Sequence, residues 1–283
     1  MLIEYLNAGN INKYRDYLDG DAAENIGRQF YRGMIAQTNG NPGAALIWEV
    51  INLYEDSKPT LSRIEWGKVT DDEMGEYLLE AYTDTVARDG VADSFFELDV
   101  DFDRTFIRLL KNTGFRITQA KYDMIKVKLS EAGTIGSAID VKALKQVKCL
   151  EELSTRDFNR AIKSCVYNIN RELVSDLMFL GINWYEQDIS CYAETGGQCS
   201  GFLLVHRCTS GTLRIELLAD WGSESQKNLL GMIRFSLYRA LETYPDDTRV
   251  EVVLRDDATR GLVSYIFPQF AVSKCLRGDR TEA

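Results

Sequence analysis

Apolar-rich runs over 29–38, 44–53 and 61–69 read as a three-strand meander. Asn39-Gly40-Asn41-Pro42-Gly43 separates the first two, and Asn-Gly between apolar runs marks a hairpin. The rhythm then becomes helical. From Thr70, with Glu73 completing a capping box, Met74, Tyr77, Leu78, Ala81, Tyr82 and Thr85 share one stripe until Asp89-Gly90 stops it. A strand over 94–100, a helix over 104–112, the exit Gly114-Phe115 and a closing strand over 122–129 follow. Ahead of the meander lie a strand over 2–6 and a helical stretch over 12–28, interrupted at Asp19-Gly20.

The same order returns. A short strand over 138–141, a helix over 154–166 and a helical or irregular stretch to Gly181 lead into a meander over 184–195, 201–207 and 213–219. A helix from Ser223 carries Leu230, Ile233, Leu237 and Leu241 on one stripe and ends before Pro245. A strand over 249–254, a helix over 259–266 and a strand over 270–276 complete it. Individual residues repeat as well. Ala36-Gln37-Thr38-Asn39-Gly40-Asn41 returns as Ala193-Glu194-Thr195-Gly196-Gly197-Gln198, Arg63-Ile64-Glu65 as Arg214-Ile215-Glu216, Gly75 as Gly231, and Phe115 as Phe270. A nearly constant spacing with small slips is what a duplication leaves once loops change length. Two domains are expected, 1–130 and 137–283, joined by the glycine-containing segment 131–136.

The chain of 283 residues carries a net charge of −10, which opposes binding to nucleic acid. No apolar run reaches the length of a membrane span. The opening Met1-Leu-Ile-Glu-Tyr places an acid where an export signal needs basic residues, so a cytoplasmic protein is expected, without membrane or nucleic-acid partners. All 6 cysteines fall in the second copy at irregular spacings, the pattern of reduced thiols packed as small hydrophobes, and no metal site is expected. The single histidine, His206, stands inside the apolar run 202–207 and reads as a strand residue.

Strand, helix, three-strand meander, helix, strand, helix, strand is the order found in the GNAT superfamily of acyl-CoA N-acyltransferases, which both halves resemble. The resemblance implies an α+β sandwich built twice, each half a mixed, mostly antiparallel twisted sheet flanked by helices. The family's phosphate-binding signature, Gln or Arg, two residues, Gly, one residue, Gly or Ala, falls on Gln226-Lys227-Asn228-Leu229-Leu230-Gly231, with Leu229 in place of the middle glycine. A diphosphate needs free backbone N–H groups at a helix N-terminus, and glycine lets the backbone come close. The first copy reads Thr70-Asp71-Asp72-Glu73-Met74-Gly75 at this place. One carboxylate about 6 Å from a phosphate costs roughly 3 kcal/mol at an effective dielectric near 20. Three of them mark the first copy as the one that does not bind CoA.

The resemblance further implies acetyl-CoA as cosubstrate in the second copy, entering where the strand ending near Leu218 and Ala219 parts from the strand over 249–254. Gln226, Lys227, Asn228 and Gly231 would hold its phosphates. Tyr265 takes the place of the family's general acid, since a phenol of pKa about 10 suits a thiolate whose conjugate pKa is about 8.5. Its alternative is an aromatic covering the sheet. Glu216 is the expected base or water-positioning carboxylate, with a structural carboxylate as alternative and Glu194 as runner-up. Trp184, Tyr185, Tyr192 and Trp221 read as core or interface aromatics. The expected activity is acetyl transfer by direct attack of an amine, small molecule or peptide. The alternative is a non-catalytic tandem GNAT-like protein that binds an acyl-CoA, another small ligand or a protein.

Overall fold

The computed structural model describes residues 1–18, 23, 26, 31–51, 61–99, 103–136, 146–169, 177, 180–208, 211–255 and 257–282. The chain divides into two compact units: unit 1 holds 1–120, 208–211 and 274–283, unit 2 holds 121–207 and 212–273. Each is an α+β sandwich, a mixed and mostly antiparallel sheet between helices.

Unit 1 begins with β1 (Leu2–Tyr5), then β2 (Tyr31–Thr38), β3 (Asn41–Ile51) and β4 (Leu61–Val69) as an antiparallel meander. The first hairpin turns through Asn39 and Gly40, both left-handed at φ 53° and 85°, as the Asn-Gly signal requires. Helix α1 (Asp72–Arg88) returns the chain to β5 (Asp93–Asp99), parallel to β4. Helix α2 (Arg104–Asn112) then leads into β6 (Arg116–Lys128). Alternation along the meander separates two cores. Met34, Leu46, Trp48, Ile64 and Phe96 pack with α1 and α2, while Ile35, Ala45, Ile47 and Trp66 meet Ile11, Tyr14, Leu18, Ala23 and Ile26 on the other face.

Unit 2 holds α3 (Leu129–Gly136), β7 (Val147–Cys149), α4 (Thr155–Asn168), β8 (Cys191–Thr195), β9 (Gln198–Arg207), β10 (Leu213–Asp220), α5 (Ser225–Thr243), β11 (Arg249–Leu254) and α6 (Asp257–Ile266). Sheet order is β7-β8-β9-β10-β11-β6. Helix α5 covers Cys191, Ala193, Leu203, Ile215 and Leu218. On the opposite face Phe158 of α4 packs against Phe202 and Tyr185.

The units do not follow the duplication boundary. The strand expected to close the first copy is β6, and it pairs antiparallel with β11 in unit 2, Arg249↔Lys128 through Leu254↔Asp123. The last strand, β12 (Val272–Thr281), pairs with β5 of unit 1, Cys275↔Asp99 through Thr281↔Asp93. Each half therefore gives its final strand to the other unit. The segment 131–136, expected as a plain join, lies in helix α3, whose Gly133 lets Leu241 of α5 approach closely.

Other differences are local. The cap of α1 is Asp71, whose side chain accepts from Met74 N–H at 3.0 Å, one residue beyond the expected Thr70–Glu73 box. Residues 182–184 form a 3-10 turn before β8 where a continuous strand over 184–195 was expected. Its cause is Glu186, whose N–H donates to Val205 O and whose carbonyl accepts from Ser190, folding 186–190 into a turn. The strand expected at 138–141 lies outside the described residues, as does most of 12–28 beyond Leu18.

Candidate functional site

In unit 2 the parallel ladder between β10 and β11 runs only from Leu213↔Val250 to Ile215↔Val252. Beyond it β10 stays with β9 as far as Asp220↔Gly201, and β11 stays with β6. The strands part, and the fork opens beside a bulge: the β9 register slips between Ile215 and Leu217, leaving Glu216 as the extra residue.

Glu216 is 3 % exposed, and its carboxylate pairs with Arg255 Nη2 at 3.2 Å. Arg255 Nε also donates to Glu216 O at 2.8 Å, and its guanidinium lies 5.1 Å from the centre of the Tyr122 ring. Two residues along, the Thr259 hydroxyl of α6 donates to Leu218 O at 3.1 Å. Two main-chain acceptors on the open edge of β10 are thus satisfied by side chains rather than by a strand. Leu218 and Ala219 are themselves buried.

Unit 1 keeps the same fork and fills it. The β4–β5 ladder stops at Ile64↔Phe96, Glu65 occupies the bulge, and Arg63 Nε meets its carboxylate at 2.5 Å. The residue in place of Leu218 is Gly67, where an added Cβ would stand 2.2 Å from Phe106 Cζ. The Phe106 ring rests directly on the strand, and only glycine admits it.

The helix mouths differ in the opposite sense. Helix α1 of unit 1 is closed by its Asp71 cap, and Asp72 is held by Arg108 at 2.5 Å. Helix α5 of unit 2 has Glu224 at its N-cap with no side-chain cap. The Asn228 N–H already donates to Glu224 O, so the amides without a helical partner end at Lys227. Of the expected phosphate signature, only Gln226 and Lys227 lie at this mouth, both exposed, with Lys227 paired to Glu224 at 3.3 Å. Gly231 stands inside the helix, buried, with its N–H in the helical ladder. Leu229, in the middle-glycine place, turns against the core of unit 2.

Asn228 is fully buried, and its Nδ2 donates to Asp220 Oδ2 at 3.0 Å, leaving Oδ1 without a partner among the described residues. Asp220 also accepts from Gly222 N–H at 2.9 Å and from the Ser200 hydroxyl. Burial pushes the Asp220 carboxyl above its ordinary 3.8, and these three donors pull it part of the way back. The folded state therefore binds the proton more tightly than the unfolded chain. Stability of unit 2 is expected to fall as pH rises from 3.8 through the raised value, and Asp220→Asn to flatten that slope in denaturant titrations taken at stepped pH.

Tyr265 is in the last turn of α6 and 82 % exposed. Thr259, the α6 residue that reaches β10, lies about 120° around the helix from it. Tyr265 is exposed where Glu216 is buried. Glu194 is held by Lys148 at 2.6 Å on the β7–β8 ladder. His206 stacks on Trp184 with ring centres 4.2 Å apart, and its Nδ1–H donates to Trp184 O at 2.8 Å, a satisfied strand histidine. Trp221 packs on Phe202. Among the described residues no three acids, cysteines or histidines group as metal ligands.

Arg255, Thr259 and Asp220 were not among the expected site residues. The signal that could have shown Arg255 is a cation directly after the apolar run 252–254.

No family model matches the sequence, and no curated protein matches it either. Solved structures do. The fold resembles a tandem GNAT protein from the clavulanic acid biosynthesis pathway, with TM-score 0.58 and 10% identity over 100% of this chain and 99% of that one. It resembles a GCN5-related N-acetyltransferase from Sphaerobacter thermophilus, with TM-score 0.57 and 12% identity over 99% and 95%. A Drosophila protein matches with TM-score 0.59 and 10% identity over 97% of each chain. The fold is that of the GNAT N-acetyltransferases, in a tandem arrangement. No described helix is long and apolar enough to cross a membrane.

Proposed function

We propose that the chain is an acyl-CoA-dependent N-acyltransferase that works from unit 2, with acetyl-CoA as donor and an amine, small molecule or peptide, as acceptor. The observation that carries this reading is the pairing of an opened β10–β11 fork with an uncapped helix mouth at the end of the same strand. The N–H groups of Ser225, Gln226 and Lys227 suit a diphosphate, and the Lys227 ammonium can leave Glu224 for it. The thioester arm would lie along Leu218 and Ala219. The acceptor nitrogen attacks the thioester carbonyl, a C–N bond forms as the C–S bond breaks, and the thiolate takes a proton. Glu216, held at the bulge by Arg255, is the carboxylate nearest this reading's base, and the Tyr265 phenol its acid once α6 shifts.

A second reading, a non-catalytic GNAT-fold protein that binds an acyl-CoA, another small ligand or a protein, is favoured by the side-chain hydrogen bonds that occupy Glu216 O and Leu218 O and by the exposure of Tyr265. Calorimetry separates binding from its absence: micromolar acetyl-CoA affinity is expected, and no heat at millimolar ligand removes the donor from both readings. With an acceptor in hand, Tyr265→Phe is expected to lower turnover tenfold or more at unchanged melting temperature. An unchanged rate removes Tyr265 as the acid, whereas donor binding without turnover favours the second reading.

A further inference from the structure

We propose that Cys149 and Cys191 form a reversible disulfide, which makes the β7–β8 edge of unit 2 an oxidation site for low-molecular-weight disulfides. The two cysteines stand directly opposite each other in the antiparallel β7–β8 pair. Leu150 N–H donates to Ser190 O at 2.9 Å, so residues 150 and 190 occupy the hydrogen-bonded position of the ladder and the cysteines the non-hydrogen-bonded one. There facing Cα atoms are about 4.5 Å apart with both side chains on one face, which falls inside the span a disulfide takes. The remaining strand cysteines lack this relation: Cys199 faces Glu194 and Cys275 faces Asp99.

The thiols are now bonded to different acceptors. Cys149 Sγ–H donates to Gln187 O at 3.2 Å and Cys191 Sγ–H to Met232 O at 3.5 Å. Rotation about each Cα–Cβ bond brings the sulfurs together without moving the strands. Access assigns the order of events, since Cys149 is half-buried on the outermost strand and Cys191 is fully buried beneath α5. The Cys149 thiolate attacks the oxidant disulfide RSSR, forms a mixed disulfide and expels RS⁻. The Cys191 thiolate then attacks the Cys149 sulfur, closing the protein disulfide and expelling the second RS⁻. Two protein thiols are oxidised, RSSR is reduced to two RSH, and the thiol protons end on the released thiolates. Burial pushes both thiols up, Cys191 well above 9, so closure is slow near neutrality and accelerates as pH rises.

The test incubates the reduced full chain with oxidised glutathione at pH 8, then blocks free thiols and maps peptides by mass spectrometry. A peptide pair joining 149 to 191 is expected, with the Tm of unit 2 raised by about 5 °C. Cys191→Ser is expected to stop at glutathione on Cys149, and Cys149→Ser to leave Cys191 unmodified. Both thiols blocked as free cysteines in the folded protein, or either one joined to a different cysteine, overturns the proposal.

Discussion

Removing residues 274–283 is expected to abolish the protection of unit 1 while unit 2 keeps most of its own. The reason is β12, which the second half of the sequence encodes but which closes unit 1. It pairs with β5 along seven registers from Cys275 to Thr281. Its side chains complete the unit as well: Arg277 bonds Glu97 at 2.7 Å, and Arg280, bonded to Glu282, lies 4.7 Å from the centre of the Phe115 ring. Without β12 the buried Phe96 and its neighbours face water, and a unit of this size has little stability to spare. Hydrogen exchange read by peptide checks it, with fast exchange across α1 and β5 and slow exchange across α5 and β9. Equal loss in both units, or none, would sink the argument. A point version is Gly278→Ala. Its Cβ would stand 2.1 Å from Phe96 Cε1, a ring with no room to move. Overpacking of this kind costs about 1–3 kcal/mol, a fall of about 4 °C or more in the unit's melting temperature.

That prediction rests on what the sequence conceals. The runs over 122–129 and 270–276 read correctly as strands, because alternation reports burial of a face. It does not report which edge a strand joins. Pairing partners far apart in the chain leave no local mark, so the sequence alone assigns each closing strand to its own half. By contrast, the hairpin at Asn39-Gly40, the stripe of α1 and the order of elements were legible, since each depends on residues within a turn or two of one another. The candidate site falls between these cases. The resemblance of 226–231 to a phosphate signature depends on the exact start of α5. With the helix beginning at Ser225, its glycine lies inside the helix and Asn228 is the buried residue that ends an exposed first turn. Aligned by their first internal hydrogen bonds, Gly75 to Asp71 O and Asn228 to Glu224 O, the copies place Asn228, not Gly231, opposite Gly75. The two-residue lengthening of the loop before α5 conceals that equivalence.

Arg255→Met is expected to cost unit 2 about 3–5 kcal/mol, because it leaves the Glu216 carboxylate buried without its guanidinium. Glu216→Leu alone is expected to be costly for the mirrored reason, a buried cation 8 % exposed that keeps only its other contacts. The double variant should recover most of the loss, since well-packed apolar residues often replace a buried ion pair at little cost. Denaturant melts of the four proteins complete the cycle, and additive losses would show that the two side chains do not act as a pair. The cycle also bears on chemistry. A carboxylate paired with a buried arginine sits at the β10 bulge, beside the fork. Unit 1, its fork filled by Phe106, also holds its bulge carboxylate with a buried arginine, but Arg63 stands two residues before Glu65 on the same strand, where unit 2 has Arg214, whereas Arg255 follows β11. In each copy a buried arginine, drawn from a different position, neutralises the bulge carboxylate, so a buried pair at the bulge is accounted for by burial alone. Any catalytic use of Glu216 in unit 2 therefore has to be added to that structural role, and only a rate loss in Glu216→Gln larger than its loss of stability would demonstrate it.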